Sequence, residues 1–152
     1  MSEQSQFKFD LRRNVSTEKA NTAIYDKLKS NAHSPFYQMP YTKSFIVAMA
    51  IGIKKGAHPK LKEKNPNVYC DAFTDEEKWM MIALFMKKNP KLGVKALFEP
   101  DAILDLAEEY ANGGIKYLDI IYEETTEPID ALEDELRRHE NFSIKKKGFI
   151  GR

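Results

Sequence analysis

The chain has 152 residues, 42% of them hydrophobic and 31% charged, with a formal net charge of +1. That length suits one ordinary domain with its own core, and that balance excludes an intrinsically disordered chain. The single cysteine, Cys70, cannot close an intrachain disulfide, and a lone thiol fits a reducing, cytoplasmic setting.

The opening Met1-Ser2-Glu3-Gln4-Ser5-Gln6 is polar and lacks the apolar stretch of a secretory signal. Phe7-Lys8-Phe9-Asp10-Leu11-Arg12 then alternates apolar and polar, which predicts a short strand with Phe7, Phe9 and Leu11 on one face. Such a strand needs a partner, and a second copy of the chain can supply one. Ser16 and Thr17 read as caps of a helix over about 17–30, with Ala20, Ile24 and Leu28 forming a narrow apolar stripe. The following loop is broken at Ser34-Pro35 and is unusually apolar. Its Phe36, Tyr37 and Met39 either pack down or meet a protein partner, and they are the candidate partner-binding residues.

After Pro40 a second helix is predicted over about 42–55, apolar nearly all round, as a central core helix is. Its longest apolar run, Phe45 to Ile53, is about half of what a bilayer requires, so no membrane span is expected. Gly56 falls where a left-handed residue ends a helix. Residues 56–73 read as a linker, with Pro59 and Pro66 breaking any helix. Thr74-Asp75-Glu76-Glu77 is a capping box, and it opens a second core helix carrying Trp79, Met80, Met81, Phe85 and Met86. Asn89-Pro90 ends that helix. Pro100 and Asp101 start another, which Gly113-Gly114 is expected to stop near Asn112. Ile115, Leu118, Ile121 and Tyr122 predict a separate helix beyond the glycine pair, and Pro128 starts a last one with Ile129, Leu132 and Leu136. The expected fold is mainly α: a compact bundle of five to six helices with a short N-terminal β-strand. Residues 1–144 form the single helical domain, and 145–152 form a flexible basic tail.

The charge is unevenly spread. Residues 1–64 carry 12 Lys/Arg and 5 Asp/Glu, residues 65–144 carry 8 and 18, and residues 145–152 carry 4 and none. A basic first half suits nucleic acid or the acidic half of another copy, which would make an oligomer; otherwise each half solvates its own surface.

No catalytic constellation emerges. His33, His58 and His139 lack a second ligand at metal spacing, and there is no HExxH, CxxC or phosphate-binding glycine loop. Glu108-Glu109 and Glu123-Glu124 are neighbours about 100° apart on a helix, so each pair reads as a solvated face. No nucleophile has a plausible base, so neither an enzyme, a cofactor nor a metal is expected. What rises above background is a basic array. Lys54, Lys55, Lys60, Lys62 and Lys64, with Lys145, Lys146 and Lys147 of the tail, are the candidate nucleic-acid-binding residues, of the kind that meets phosphate without reading sequence. The strand at 7–11 followed by two helices also matches the order of a dimeric ribbon-helix-helix DNA-binding regulator, with Lys8, Asp10 and Arg12 outward, although its helix-connecting loop is long for that unit.

Ser34-Pro35-Phe36, then Thr42 to Gly56 ending in Gly52-Ile53-Lys54-Lys55-Gly56, and later Leu106-Ala107-Glu108-Glu109-Tyr110-Ala111-Asn112-Gly113-Gly114-Ile115, together form a pattern. Over about residues 24–122 it resembles the small accessory proteins of bacterial DNA-phosphorothioation (Dnd-type) operons and neighbouring phage-defence islands. The resemblance implies genomic company and no reaction. The expected function is therefore a non-catalytic accessory or adaptor subunit of a defence or DNA-modification system. It would contact partner subunits and, through its lysines, the DNA backbone. The ribbon-helix-helix regulator is the alternative.

Overall fold

The structure is a computed structural model that describes residues 13–124 and 130–137. It is mainly α, with one small sheet near the N-terminus. Two strands, β1 (Val15–Glu18) and β2 (Lys64–Val68), accompany four helices, α1 (Thr22–Ser30), α2 (Tyr41–Lys55), α3 (Asp75–Lys88) and α4 (Pro100–Glu124). Residues 130–137 form a further helical stretch, α5. None of the described helices is long and apolar enough to cross a membrane.

The centre of the fold is α2 lying against α4. Phe45, Ala48, Met49 and Ile51 of α2 and Ile103, Leu104, Ala107, Ala111 and Ile115 of α4 are all buried. Both helices use glycine to approach closely. A Cβ on Gly52 would collide with the carbonyl of Tyr110, and one on Gly114 with the carbonyl of Ala48. Gly113 is closed off in the same way by the carbonyl of Ala57. The expected break at Gly113-Gly114 is therefore corrected: α4 runs through the pair as one helix of 25 residues. A glycine in a helix interior costs about 1 kcal/mol relative to alanine, and close packing against α2 offsets that cost here. Gly56 does end α2 at φ 66°, in the left-handed region. The Ala57 amide donates to the Gly52 carbonyl at 2.9 Å and the Gly56 amide to Ile53 at 3.2 Å, which is a Schellman ending.

The N-terminal region differs from the sequence expectation. Ser16 and Thr17 do not cap a helix. They are buried in β1, and α1 starts only at Thr22. The supposed linker holds β2, which pairs antiparallel with β1: Val15 faces Val68, Thr17 faces Asn65 and Glu18 faces Lys64. Between the first two pairs the register slips by one residue, and Pro66 sits in that bulge, where a strand tolerates a missing amide hydrogen. β1 thus finds its partner within the chain. The strand expected at 7–12, including Lys8, Asp10 and Arg12, lies outside the described residues, as does the 145–152 tail.

The capping box of α3 forms as its sequence predicts. The Thr74 amide donates to the Glu77 carboxylate at 2.8 Å, and the Glu77 amide donates to the Thr74 hydroxyl at 3.2 Å. Met81, Ile82, Leu84 and Phe85 face the core, whereas Trp79 and Met80 face outward. The short 3-10 turn Gly93–Phe98 buries Ala96 and exposes Val94 and Phe98, the latter at 74%. Leu132 of α5 packs against the core.

Candidate functional site

A carboxylate without solvent contact organises one end of the molecule. Glu108 lies on the inner side of α4, with its side chain fully buried. It accepts from the Ser16 amide of β1 at 2.6 Å, from Arg13 Nη1 at 2.8 Å and from Lys64 Nζ at 3.1 Å. Arg13 also bonds Asp105 at 2.8 Å and approaches Asp101, and Lys64 bonds Asp105 at 3.1 Å. One helix face spaced 101-105-108 therefore clamps both strands. The expectation that Glu108-Glu109 forms a solvated face is corrected for Glu108. On a continuous α4 its spacing from Leu104, Ala111 and Ile115 turns it inward, where two cations and an amide hydrogen satisfy it. Partial burial alone would lower the pKa of Arg13 and of Lys64. The hydrogen bonds and charges of these carboxylates outweigh it and raise both, so each cation is held charged.

The cluster has the character of a structural clamp. Each of its charges is engaged, and no group of three or more His, Cys, Asp or Glu among the described residues could hold a metal ion. His58 rests against the Tyr110 ring, 4.8 Å between centroids.

Beside this clamp runs an open groove of about 630 Å³. The loop after α2 supplies Ala57, Pro59, Lys60 and Lys62. α4 supplies Asn112, Lys116, Tyr117 and Ile120. Asn112 bridges the two walls, donating to the Pro59 carbonyl at 3.1 Å while accepting from Asn21 at 2.9 Å. Glu18 is the acidic residue of the lining, and its carboxylate accepts from the backbone amides of Lys62 and Glu63 at 2.7 and 3.2 Å. Lys60, Lys62 and Lys116 are exposed and enter no ion pair among the described residues. Tyr117, 41% exposed, stands at the same groove with Lys55 Nζ 5.3 Å from its ring centroid. A smaller depression of about 330 Å³, lined by Lys60, Leu61, Lys64, Asp105 and Glu109, adjoins at Lys60.

The structure therefore divides the predicted basic array. Lys60 and Lys62 face the groove. Lys64 is committed to Asp105 and Glu108. Lys54 and Lys55 both approach Glu135 of α5, at 3.6 and 2.8 Å. Lys145, Lys146 and Lys147 lie outside the described residues. Of the candidate partner-binding residues, Phe36 is buried in the core, so the first of the two expectations for that loop holds for it. Tyr37 and Met39 remain exposed. Sequence reasoning missed Lys116 and Tyr117. Their signal was the four-residue step Asn112-Lys116-Ile120 with Gly113-Tyr117 beside it, which is visible only when α4 is read through the glycine pair.

No protein-family model, curated protein or solved structure matches this chain.

Proposed function

We propose that the chain is a non-catalytic accessory subunit of a bacterial anti-phage defence or DNA-modification system, acting in the cytoplasm through contacts with protein subunits and with the nucleic-acid backbone. The observation that carries the nucleic-acid contact is the groove in which Lys60, Lys62 and Lys116 converge from two elements without entering an ion pair among the described residues, the Glu18 carboxylate of the same lining being occupied by the Lys62 and Glu63 amides. Lysines in that state attract phosphate without reading base sequence. The protein contact rests on the outward Val94 and Phe98 of the 3-10 turn, with Tyr37 and Met39 of the α1–α2 loop. Apolar side chains held this far into solvent are the kind that a partner surface covers.

Fluorescence anisotropy of a labelled nucleic acid at two salt concentrations tests the backbone contact. Three phosphate contacts give a log–log salt slope of roughly −3 at about −0.9 per contact on duplex DNA. The triple change Lys60→Glu, Lys62→Glu and Lys116→Glu should abolish binding, while Lys91→Glu, at an exposed position away from the groove, should leave it largely intact. Absence of binding at low salt and tens of micromolar protein removes the nucleic-acid contact and leaves the protein contact alone.

A further inference from the structure

We infer that the groove between the loop after α2 and the outer face of α4 takes a single-stranded nucleic acid, with a base stacked on Tyr117 and its flanking phosphates on Lys60, Lys62 and Lys116. This rests on the reading above, that the groove meets phosphate, and adds the state of the strand.

The argument begins with Tyr117. It is an aromatic residue 41% exposed on a helix whose other face is fully packed. Its neighbours one turn away along the groove are Gly113 and Ile120, a residue without a side chain and an exposed apolar one. Ile120 therefore gives the ring an apolar neighbour in the groove, while the space over Gly113 is taken by the Ala57 backbone of the facing wall. Lys55 stands over the ring and is itself held by Glu135 at 2.8 Å, so one face of the ring is braced. Lysines on both walls then lie to either side: Lys60 and Lys62 on the loop, Lys116 on α4, adjacent to the ring in sequence. Aromatic platforms interleaved with backbone-tracking cations are how single strands are bound without sequence preference, because every base has a π-face.

A duplex does not fit this arrangement. Its bases are stacked on one another and cannot lie on a tyrosine without being flipped out. The hydrogen-bonding side chains of Asn21 and Asn112 at the groove are already joined to each other, so the groove offers stacking and charge more than base-edge readout.

The experiment is anisotropy of labelled oligo-dT, oligo-U and a mixed-sequence duplex of equal length against the whole chain, repeated with Tyr117→Ala, Tyr117→Trp and Lys116→Glu. Both single strands should bind at least tenfold more tightly than the duplex, or one of them should, which then identifies DNA or RNA as the source. Tyr117→Ala should weaken single-strand binding about tenfold, Tyr117→Trp should retain or improve it, and neither should change the far-ultraviolet circular dichroism. Duplex binding as tight as single-strand binding, unmoved by Tyr117→Ala but lost with Lys116→Glu, overturns this inference while leaving the phosphate-binding groove standing. Loss of binding to every probe overturns both.

Discussion

Glu108 has no solvent contact, yet it meets two cations and a backbone amide, and this decides what its removal does. A buried pair broken by deleting one partner is costly when the survivor stays buried and charged. Here the survivors are Arg13 and Lys64, both partly exposed, so water recovers part of the loss. Glu108→Ala should destabilise the fold by about 2–3 kcal/mol, since the Ser16 amide and the inner end of Arg13 lose their acceptor. Glu108→Gln should cost less, because its amide oxygen still accepts from Ser16. Asp101, 77% exposed and only at 3.6 Å from Arg13, should change stability by less than about 0.5 kcal/mol when made asparagine. Urea denaturation of the three variants orders them, and an Asp101 effect as large as that of Glu108 would show that burial is not what makes the contact matter. The same contrast explains what was legible at this scale. The residue types at Asp101, Asp105 and Glu108 are plain in the sequence. Which of them turns inward depends on the helical phase of α4 and on two strands, β1 arriving from about ninety residues away and β2 from 44.

The contact between α2 and α4 turns on glycines that read as punctuation. Intrinsic propensity says Gly114→Ala should stabilise a helix by up to about 1 kcal/mol. The structure reverses the sign, because the added methyl meets the backbone of α2 at Ala48. Forcing the two helices apart should cost at least about 2 kcal/mol, within the usual range for overpacking. Gly56→Ala isolates the other role of glycine. No atom lies within 4 Å of its Cβ direction, so only the φ of 66° is strained, at about 1–2 kcal/mol. Thermal unfolding of both variants separates crowding from backbone strain, and a stabilised Gly114→Ala would refute the tight crossing. Gly56 was readable because a helix terminus is a local event, and so was the Thr74–Glu77 capping box. Gly113 and Gly114 read as a stop because the backbone they admit belongs to α2 and to the loop that follows it, far away in sequence. β2 was invisible for a related reason: Lys64-Asn65-Pro66-Asn67-Val68 has no apolar alternation, and it is a strand only because β1 pairs with it. The outer face of α4 was lost with the same misreading, and Lys116 and Tyr117 of the candidate groove with it.

The opposition of a basic first half to an acidic second half reads in composition as an invitation to self-association, and several of the described ion pairs join the two halves inside the chain. Arg13 and Lys64 reach α4 at Asp105 and Glu108, Lys27 reaches Asp119 and Glu123, Lys43 reaches Glu77 and Lys55 reaches Glu135. Composition holds the imbalance and says nothing of where it is cancelled; the packing of α1, α2 and β2 around α4 does that. This has a consequence at high pH. The Tyr41 hydroxyl at the start of α2 donates to Asp26 of α1. That hydrogen bond first, then burial and the charge of Asp26, push its pKa up to about 12 from the ordinary value near 10. Lys27 and Lys64 are likewise raised, since their carboxylate partners outweigh the opposing effect of burial. In each case the folded state holds a proton that the unfolded chain gives up sooner. The stabilisation is therefore complete below about pH 10 and is lost as pH rises through the folded values. The melting temperature should stay level from pH 7 to about 9.5 and fall steadily above 10. Tyr41→Phe lowers the plateau slightly by deleting the Asp26 hydrogen bond, and it makes the alkaline fall shallower because one titrating group is gone. Melting curves across this range, with absorbance at the phenolate band, test both parts. An alkaline limb as steep in Tyr41→Phe as in the parent would mean that the α1–α2 contact does not hold the Tyr41 proton.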